Sequence, residues 1–350
     1  MIQTSIFGES HGPNIGILIE NLPPGLEIDH NFIAKEMQRR SPGGPLATER
    51  QEDDKVTILS GVYQNKTTGT PLCAIIANKG QHSSDYEAFK GVARPGHADY
   101  TGFIRYQGFN DPRGGGHFSG RLTAPLVFAG ALIKQILAQK HIIIGAHIKQ
   151  IGAIEDQPLD YAKIPPGMIN LLEKNDFPAI SRIAAQQMKE AIIQAKAEDD
   201  SLGGVVECMI LGVPAGIGQP GQNSVESILS RHIFAIPAVK GISFGEGFHF
   251  AEMKGSEAND RMIMKSGKPT HLTNYNGGVL GGITNHMPIV FQTAIKPTPS
   301  IAILQQTIDY IQNIDTLVEI HGRHDPCIVI RAVPVIEAVS AIALAEILNI

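Results

Sequence analysis

Cysteine is scarce. Cys73, Cys208 and Cys327 are the only three in 350 residues, they lie far apart, and none belongs to a C-x-x-C spacing. That argues against a disulfide-stapled scaffold, and an odd number of thiols in apolar surroundings fits a reducing cytosol. Tryptophan is absent altogether. The N-terminus lacks a basic segment followed by an apolar one, so no export signal is expected. The longest apolar run, APLVFAGALIKQIL (124–137), carries Lys134 and Gln135 and reads as too short to span a bilayer. Net charge is −5, which leaves no overall basic field to recruit nucleic acid or an anionic membrane. A cytoplasmic protein is the expectation.

Several site signatures are missing too. There is no H-E-x-x-H and no Cys/His pairing, and the arginines that crowd the histidines would repel a cation, so no metal is expected. No G-x-x-x-x-G-K-[ST] occurs, since SGKPT (266–270) lacks the earlier glycine and has proline after Gly-Lys. GGVLGG (277–282) precedes the strand-like PIVFQTAI, whereas a dinucleotide-binding glycine loop would open a helix.

What is abundant is turn chemistry: 37 glycines and 22 prolines, gathered in loops and not in low-complexity tracts. Between the loops, residues 54–78 read as a hairpin, 121–141 as a mostly apolar interior helix and 181–200 as an amphipathic helix. Residues 205–213 read as a strand and 334–348 as a C-terminal helix opened by Pro334. Residues 17–40 and 207–232 share a plan: a strand, a Leu/Val-Pro-x-Gly-Leu/Ile turn, then a helix ending in basic residues, with Pro23 and Gly25 matching Pro214 and Gly216. No charged or serine-rich linker separates these halves. One composite α+β domain over residues 1–350 is expected, with helices packed on antiparallel sheet.

GESHG (8–12) fits the G-x-S-x-G nucleophile elbow, but that elbow turns from a strand into a helix, and here the β-branched IGILIEN (15–21) follows. A strand–turn–strand context makes Ser10 a poor hydrolase nucleophile and turns attention to His11 between its glycines. Arginines gather in four other loops. QRRSPGG carries Arg39 and Arg40 with Arg50 beyond it, RPGHAD carries Arg94 and His97, DPRGGGHFSGR carries Arg113, His117 and Arg121, and HGRHDPC carries Arg323 and Asp325. KPTPS (296–300) adds Lys296 in a rigid turn. A guanidinium fork binds a carboxylate or phosphate at about 1.5–3 kcal/mol per charge-assisted bond, and adjacent glycines free backbone N–H groups for the same anion. The pattern implies a small, multiply anionic ligand, with His11 and His97 as proton-handling candidates.

GESHG, RRSPGG, TTGTP, RPGHADYT, RGGG, AVKG, GGVLGGI, KPTPSI and GRHDPC-x-x-I-R-A-x-P stand in the order and spacing of the chorismate synthases, and the sequence resembles that family over essentially its whole length. The resemblance implies a β-α-β sandwich of helices between antiparallel sheets, compatible with the duplicated plan, and a homotetramer. It implies reduced FMN as cofactor and a 1,4-elimination of phosphate from 5-enolpyruvylshikimate 3-phosphate. By similarity Arg40, Arg50, Arg94 and Arg121 would hold the substrate's anionic groups, and His97 would stabilise or protonate the departing phosphate. His11 would sit by the flavin and favour its reduced anionic form, and Asp325 would help flavin N5 remove the ring proton. Flavin contacts would fall to His117, Ser119, Ala238, Gly281, Lys296, Pro297, Thr298, Pro299, Ser300 and Arg323. Two departures stand out. HFSGRLT (117–123) replaces the family's usual R-S-S-A-R-E-T, leaving only backbone flavin contacts at His117 and Phe118. Leu46 stands where an arginine often meets reduced pyridine nucleotide, which argues against direct NADPH binding and for a separate source of reduced FMN. A non-catalytic flavin- or phosphate-binding relative is the alternative, motivated by residues 117–123.

Overall fold

The computed structural model describes residues 1–41, 46, 54–79, 91–320 and 325–350. In the first half, β1 (Gln3–Gly8) and β2 (Asn14–Glu20) are followed by α1 (His30–Arg40) and β3 (Val56–Ser60). A small hairpin, β4 (Val62–Tyr63) and β5 (Lys66–Thr67), leads to β6 (Leu72–Ala77), α2 (Asp99–Arg105) and α3 (Thr123–Gln139). The second half begins with β7 (Ile143–Ile151) and β8 (Ile154–Glu155), then α4 (Pro166–Leu172), α5 (Arg182–Ala197), β9 (Gly204–Leu211) and α6 (Val225–Phe234). After β10 (Val239–Phe244) and α7 (Gly255–Ala258) come two hairpins, β11 (Met262–Lys265) with β12 (Lys268–His271) and β13 (Val279–Leu280) with β14 (Ile283–Thr284). β15 (Ile289–Ile295), the hairpin β16 (Gln305–Asp309) and β17 (Ile314–Val318), and α8 (Val329–Ile347) complete the chain.

The strands form a four-stranded sheet, β1-β2-β6-β3, and a five-stranded sheet, β10-β15-β9-β7-β8, with every pairing antiparallel. α3 and α8 pack against each other between the sheets, α3 meeting β2 and α8 meeting β7 and β9. Both are apolar nearly all round, and a helix of that composition is stable only inside. The expected sandwich of helices between antiparallel sheets is the observed fold. Gly120–Gln139 proves long and apolar enough to cross a bilayer, contrary to the reading of 124–137 as too short, but 78% of its apolar 18-residue stretch is buried within the protein. What makes it a core helix is its place between two sheets.

The duplicated plan extends to single hydrogen bonds. In the first half Gly25 N–H donates to Thr67 O (2.8 Å), Thr67 Oγ1 donates to Pro23 O (2.5 Å) and accepts from Leu26 N–H (3.0 Å). In the second half Gly216 N–H donates to Thr284 O (2.9 Å), Thr284 Oγ1 donates to Pro214 O (2.6 Å) and accepts from Ile217 N–H (3.0 Å). Gly25 and Gly216 have φ of 83° and 89°, the left-handed region where a side chain is strained, so both turns need glycine. The sheets correspond strand for strand, β1-β2-β6-β3 with β7-β9-β15-β10, and α1, α3 correspond to α6, α8. Asp29 caps α1 by accepting from Phe32 N–H, and Ser224 caps α6 by accepting from Ser227 N–H.

Local expectations hold for the 54–78 hairpin, in which β3 pairs with β6, for α5 and for β9. The C-terminal helix differs. It begins at Val329, and Pro334 lies inside it. The strong apolar face of residues 329–347 outweighs the one backbone hydrogen bond that proline forfeits. Cys208 and Cys327 are buried, and burial pushes both thiols up to about 12, while Cys73 is half-buried.

A polar stripe crosses the outer face of the second sheet. His147 on β7, Glu207 on β9 and Gln292 on β15 are in register. His147 Nδ1 is 3.1 Å from Asp156 Oδ2 and Nε2 is 2.9 Å from Glu207 Oε1, and Tyr161 O–H donates to Glu207 Oε2 at 2.6 Å. Burial opposes the imidazolium, yet the two carboxylates raise His147 above its ordinary 6.5. Burial likewise opposes both carboxylates, yet His147 hydrogen bonds hold Asp156 and Glu207 below theirs. A raised histidine contributes stability that is whole below 6.5 and is lost as pH rises through its folded value, while the lowered acids contribute stability lost only in strong acid. The contribution of this pair to thermal stability therefore falls as pH rises above 6.5, and His147→Gln removes that part of the slope. Melting curves of the two proteins with equal slopes would rule the charged pair out.

Candidate active site

One cleft of about 410 Å³ opens where the two halves meet, and corresponding parts of each half build it. Arg40 enters from the last residue of α1, and Ile236, Pro237 and Ala238 enter from the turn after the matching α6. The turns before α3 supply Arg94, His97, Gly114, Ser119 and Arg121, those before α8 supply Lys296, Thr298, Ser300 and Asp325, and the first turn of α8 supplies Arg331. Ile328 at the N-cap of α8, with Ala332 and Val335 on the helix, forms an apolar wall. Two contacts clasp the halves at the mouth. His97 Nε2 is 2.7 Å from Ser300 Oγ, and Lys296 Nζ donates to the Gly96 carbonyl.

The arginines are held before any ligand arrives. Asp54, whose side chain is 2% exposed, accepts from Arg40 Nη1 at 2.7 Å through one oxygen and from Arg121 Nη1 through the other. Thr123 Oγ1 accepts from Arg40 Nε at 3.0 Å, and Asn78 Oδ1 accepts from Arg121 Nε at 3.1 Å. Arg94 is forked onto Asp99, Nε to Oδ2 at 2.8 Å and Nη2 to Oδ1 at 2.7 Å. Burial would raise Asp99, but the Arg94 hydrogen bonds and charge hold its carboxyl below the usual range. Burial, then the charge of Lys240, lowers Lys296. Asp325 Oδ2 accepts from Arg331 Nη1 at 2.6 Å. Among the described residues that line the cleft, Arg40, Arg94, Arg121, Lys296 and Arg331 face Asp99, Asp111 and Asp325. The positive lining expected from the sequence is thus a set of oriented arginine–carboxylate pairs with a modest excess of cations, able to hold a planar or polyanionic ligand against an apolar wall.

The N-terminal GESHG turn joins β1 to β2, and no helix follows Ser10, as the strand–turn–strand reading expects. Its backbone is latched to the RGGG turn, Ser10 N–H donating to Gly116 O at 3.1 Å. Gly114, Gly115 and Gly116 have φ of 61°, 83° and 53°. A Cβ on Gly114 would lie 2.3 Å from His11 Cδ2, so glycine lets the cleft wall lie directly on the imidazole.

The chain matches the family model described as chorismate synthase over residues 2–348. The chain belongs to the chorismate synthase family. It is 45% identical to the chorismate synthase of Aeropyrum pernix over 350 residues, covering 99% of this chain and 91% of that protein. It is likewise 45% identical to that of Pyrococcus abyssi over 346 residues, covering 99% and 95%. A crystal structure of chorismate synthase superposes with a TM-score of 0.76 at 28% identity, over 99% of this chain and 91% of that one. Membership makes the protein an enzyme, a carbon–oxygen lyase of the shikimate pathway.

Of the residues that the chorismate synthase resemblance singles out, the cleft gathers Arg40, Arg94, Arg121, His97, Asp325, Ser119, Ala238, Lys296, Thr298, Pro299 and Ser300. Four others lie off its lining. His11 is buried behind Gly114, one layer back. His117 is turned away, its Nδ1 2.9 Å from the Gly8 carbonyl oxygen that it serves as donor. Pro297 is exposed beside the cleft, and Gly281 sits in the β13–β14 turn with open space around it. Arg50 and Arg323 lie outside the described residues. Sequence reasoning overlooked Asp54, Asp99 and Arg331. Asp99 and Arg331 fall within motifs already singled out, RPGHADYT and I-R-A-x-P, whereas Asp54 sits in the charged run EDDK, which reads locally as solvated surface.

Proposed function

We propose that this cleft carries out the anti-1,4-elimination of phosphate from 5-enolpyruvylshikimate 3-phosphate to give chorismate, with reduced FMN bound, in the cytoplasm and as a homotetramer. The observation that carries the reading is the meeting of Arg40, Arg94, Arg121, His97 and Asp325, from separate chain segments, around one cleft.

The residues fit a flavin. Ile328, Ala332 and Val335 offer an apolar face to a ring system, and the buried Thr298 Oγ1 has no hydrogen-bond partner among the described residues, which fits a polar ligand group there. Ser119, Ala238, Lys296 and Ser300 stand beside it, with Arg323 assigned by resemblance. Reduced FMN supplies transient electron density that labilises the allylic C–O bond. The chain's own work is binding and proton handling. Arg40 and Arg121, spaced by Asp54, hold the anionic groups with Arg94 and Arg50. Asp325 receives the ring proton as the new C=C bond forms. The C–O bonding pair departs on the phosphate oxygen, and His97, oriented by Ser300, delivers a proton to it. His11 acts through the Gly114 backbone on the ring's surroundings. Electrons come from a separate flavin reductase.

The test mixes purified protein, anaerobically photoreduced FMN and the enolpyruvyl substrate, and follows phosphate and chorismate together. Equal release of both is the expected result. Tight binding of flavin and substrate with no release of either would favour the non-catalytic alternative.

A further inference from the structure

Asn78 has no role in the reading above, yet its side chain touches two of the parts on which that reading depends. It follows β6, and its backbone N–H donates to the Pro13 carbonyl at 3.0 Å, one step past the Asn14–Ala77 pair of the first sheet. The ladder therefore places this backbone whatever side chain it carries. The amide then reaches in two directions. Nδ2 donates to the Glu9 carbonyl at 3.0 Å and to the Gly12 carbonyl at 2.8 Å, on either side of Ser10 and His11. Oδ1 accepts from Arg121 Nε at 3.1 Å. Both amide protons are thereby used, and the oxygen faces the guanidinium. A half-turn of the amide would set its oxygen against two carbonyl oxygens and its NH2 against a guanidinium N–H, so the network fixes its orientation.

We infer that Asn78 is a positioning residue, whose one amide sets the His11 turn and the Arg121 guanidinium at a fixed place relative to each other. Both partners belong to the cleft: Arg121 lines it, and the His11 imidazole lies behind Gly114 in its wall. Each is also held elsewhere, Arg121 Nη1 by Asp54 and the turn by the bond from Ser10 N–H to Gly116 O. What Asn78 adds is the link between them. Substitution separates its two ends. Aspartate keeps an acceptor for Arg121 but turns an oxygen on the two carbonyls, whereas alanine gives up all three bonds.

The role rests on the proposed functions of Arg121 and His11, and the experiment keeps those claims apart from it. Backbone hydrogen exchange of the ligand-free protein, read by mass spectrometry over residues 9–13, reports the turn. Calorimetric affinity for 5-enolpyruvylshikimate 3-phosphate reports Arg121, and kcat with reduced FMN reports the chemistry. In Asn78→Ala exchange in the turn should quicken about tenfold or more, and affinity should weaken about tenfold, the usual worth of one hydrogen bond to a charged group. In Asn78→Asp exchange should quicken as much and kcat should fall, while affinity stays within about twofold of native because the guanidinium keeps a charge-assisted partner. In an Arg121→Met background, Asn78→Ala should quicken exchange with no further loss of affinity. Native exchange in both variants overturns the positioning role. So does an equal loss of affinity in both, which a merely structural role would give. Native protein that binds the substrate and forms no chorismate removes the proposed elimination, while exchange and affinity still decide the role of Asn78. If Asn78→Ala fails to fold, as circular dichroism would show, Asn78→Ser takes its place and the same criteria apply.

Discussion

Turnover in His97→Ala falls by about 10²–10⁴-fold, the usual contribution of a positioned proton donor, while the fold survives. The geometry explains both halves of that expectation. His97 sits in the turn before α2, where its backbone N–H donates to the Arg94 carbonyl at 3.1 Å, so the turn itself does not depend on the imidazole. Ser300 Oγ, 2.7 Å from Nε2, orients the ring from the opposite half of the protein. Ser300→Ala should consequently lose rate by a smaller factor, since the donor stays and only its orientation loosens. The measurement is single-turnover phosphate release with saturating substrate. The same rate in His97→Ala and the native enzyme would remove His97 from the chemistry, and an equal loss of thermal stability and activity would make its role structural. Asp325→Asn should show a comparable loss, with substrate affinity nearly kept, because the amide retains the shape but cannot accept the proton.

The largest stability effect is expected outside the cleft lining, at Glu337 in the middle of α8. Its carboxylate is wholly buried and accepts four bonds: from Arg39 Nη1 (2.6 Å) and Nη2 (2.9 Å), from Lys134 Nζ (2.6 Å) and from the Ala146 backbone N–H (3.0 Å). Glu36 closes the cluster, 2.9 Å from Arg39 Nη1 and 2.7 Å from Lys134 Nζ. Two cations and two carboxylates thus balance at the junction of α1, α3 and α8. Burial would push Glu337 up, but the charges of Arg39 and Lys134 hold it at about 2. Glu337→Ala leaves two buried cations sharing one carboxylate and an unpaired backbone donor, which costs about 3–5 kcal/mol by urea unfolding. Removing a whole pair should cost less. Lys134→Met with Glu337→Met keeps the Arg39–Glu36 pair and fills the space with apolar atoms, so the double variant should be more stable than Glu337→Ala. If the double variant is the less stable of the two, the cluster is not the balanced charge network described here. The site is linked to this cluster by one peptide bond, since Arg39 precedes Arg40.

The helices α1, α3, α5, α6 and α8, the strands β1, β2, β3, β6, β9 and β15 and the Pro-x-Gly turns of both halves were legible because each is set by neighbours within a few residues: apolar period, N-caps, and glycines at positive φ. Pro334 shows where such local rules fail, for the apolar face around it carries the helix past the residue that reads as its start. The arginine-, glycine- and histidine-bearing loops were equally legible as anion-binding chemistry, and their spacing pointed to the family. What the loops do to one another was not legible. Ser300 reaches His97 across 203 positions, and Arg39 reaches Glu337 across 298. Asp54 holds Arg40 and Arg121 only because the end of α1 and the start of α3 meet above it. His11, chosen by its glycine-flanked turn, proves to lie behind Gly114, and Gly281 lies apart from the cleft within one chain.

By itself, then, the sequence determined the elements, the repeated strand–turn–helix plan and the kinds of side chain available to the site, because those depend on short-range sterics and hydrophobic period. The tertiary structure alone decided which carboxylate answers which arginine and which histidine meets the cleft. Pairing of charges in a buried setting is fixed by distances of a few ångströms between residues that the chain keeps far apart, and only the closing of two sheets over shared helices sets those distances.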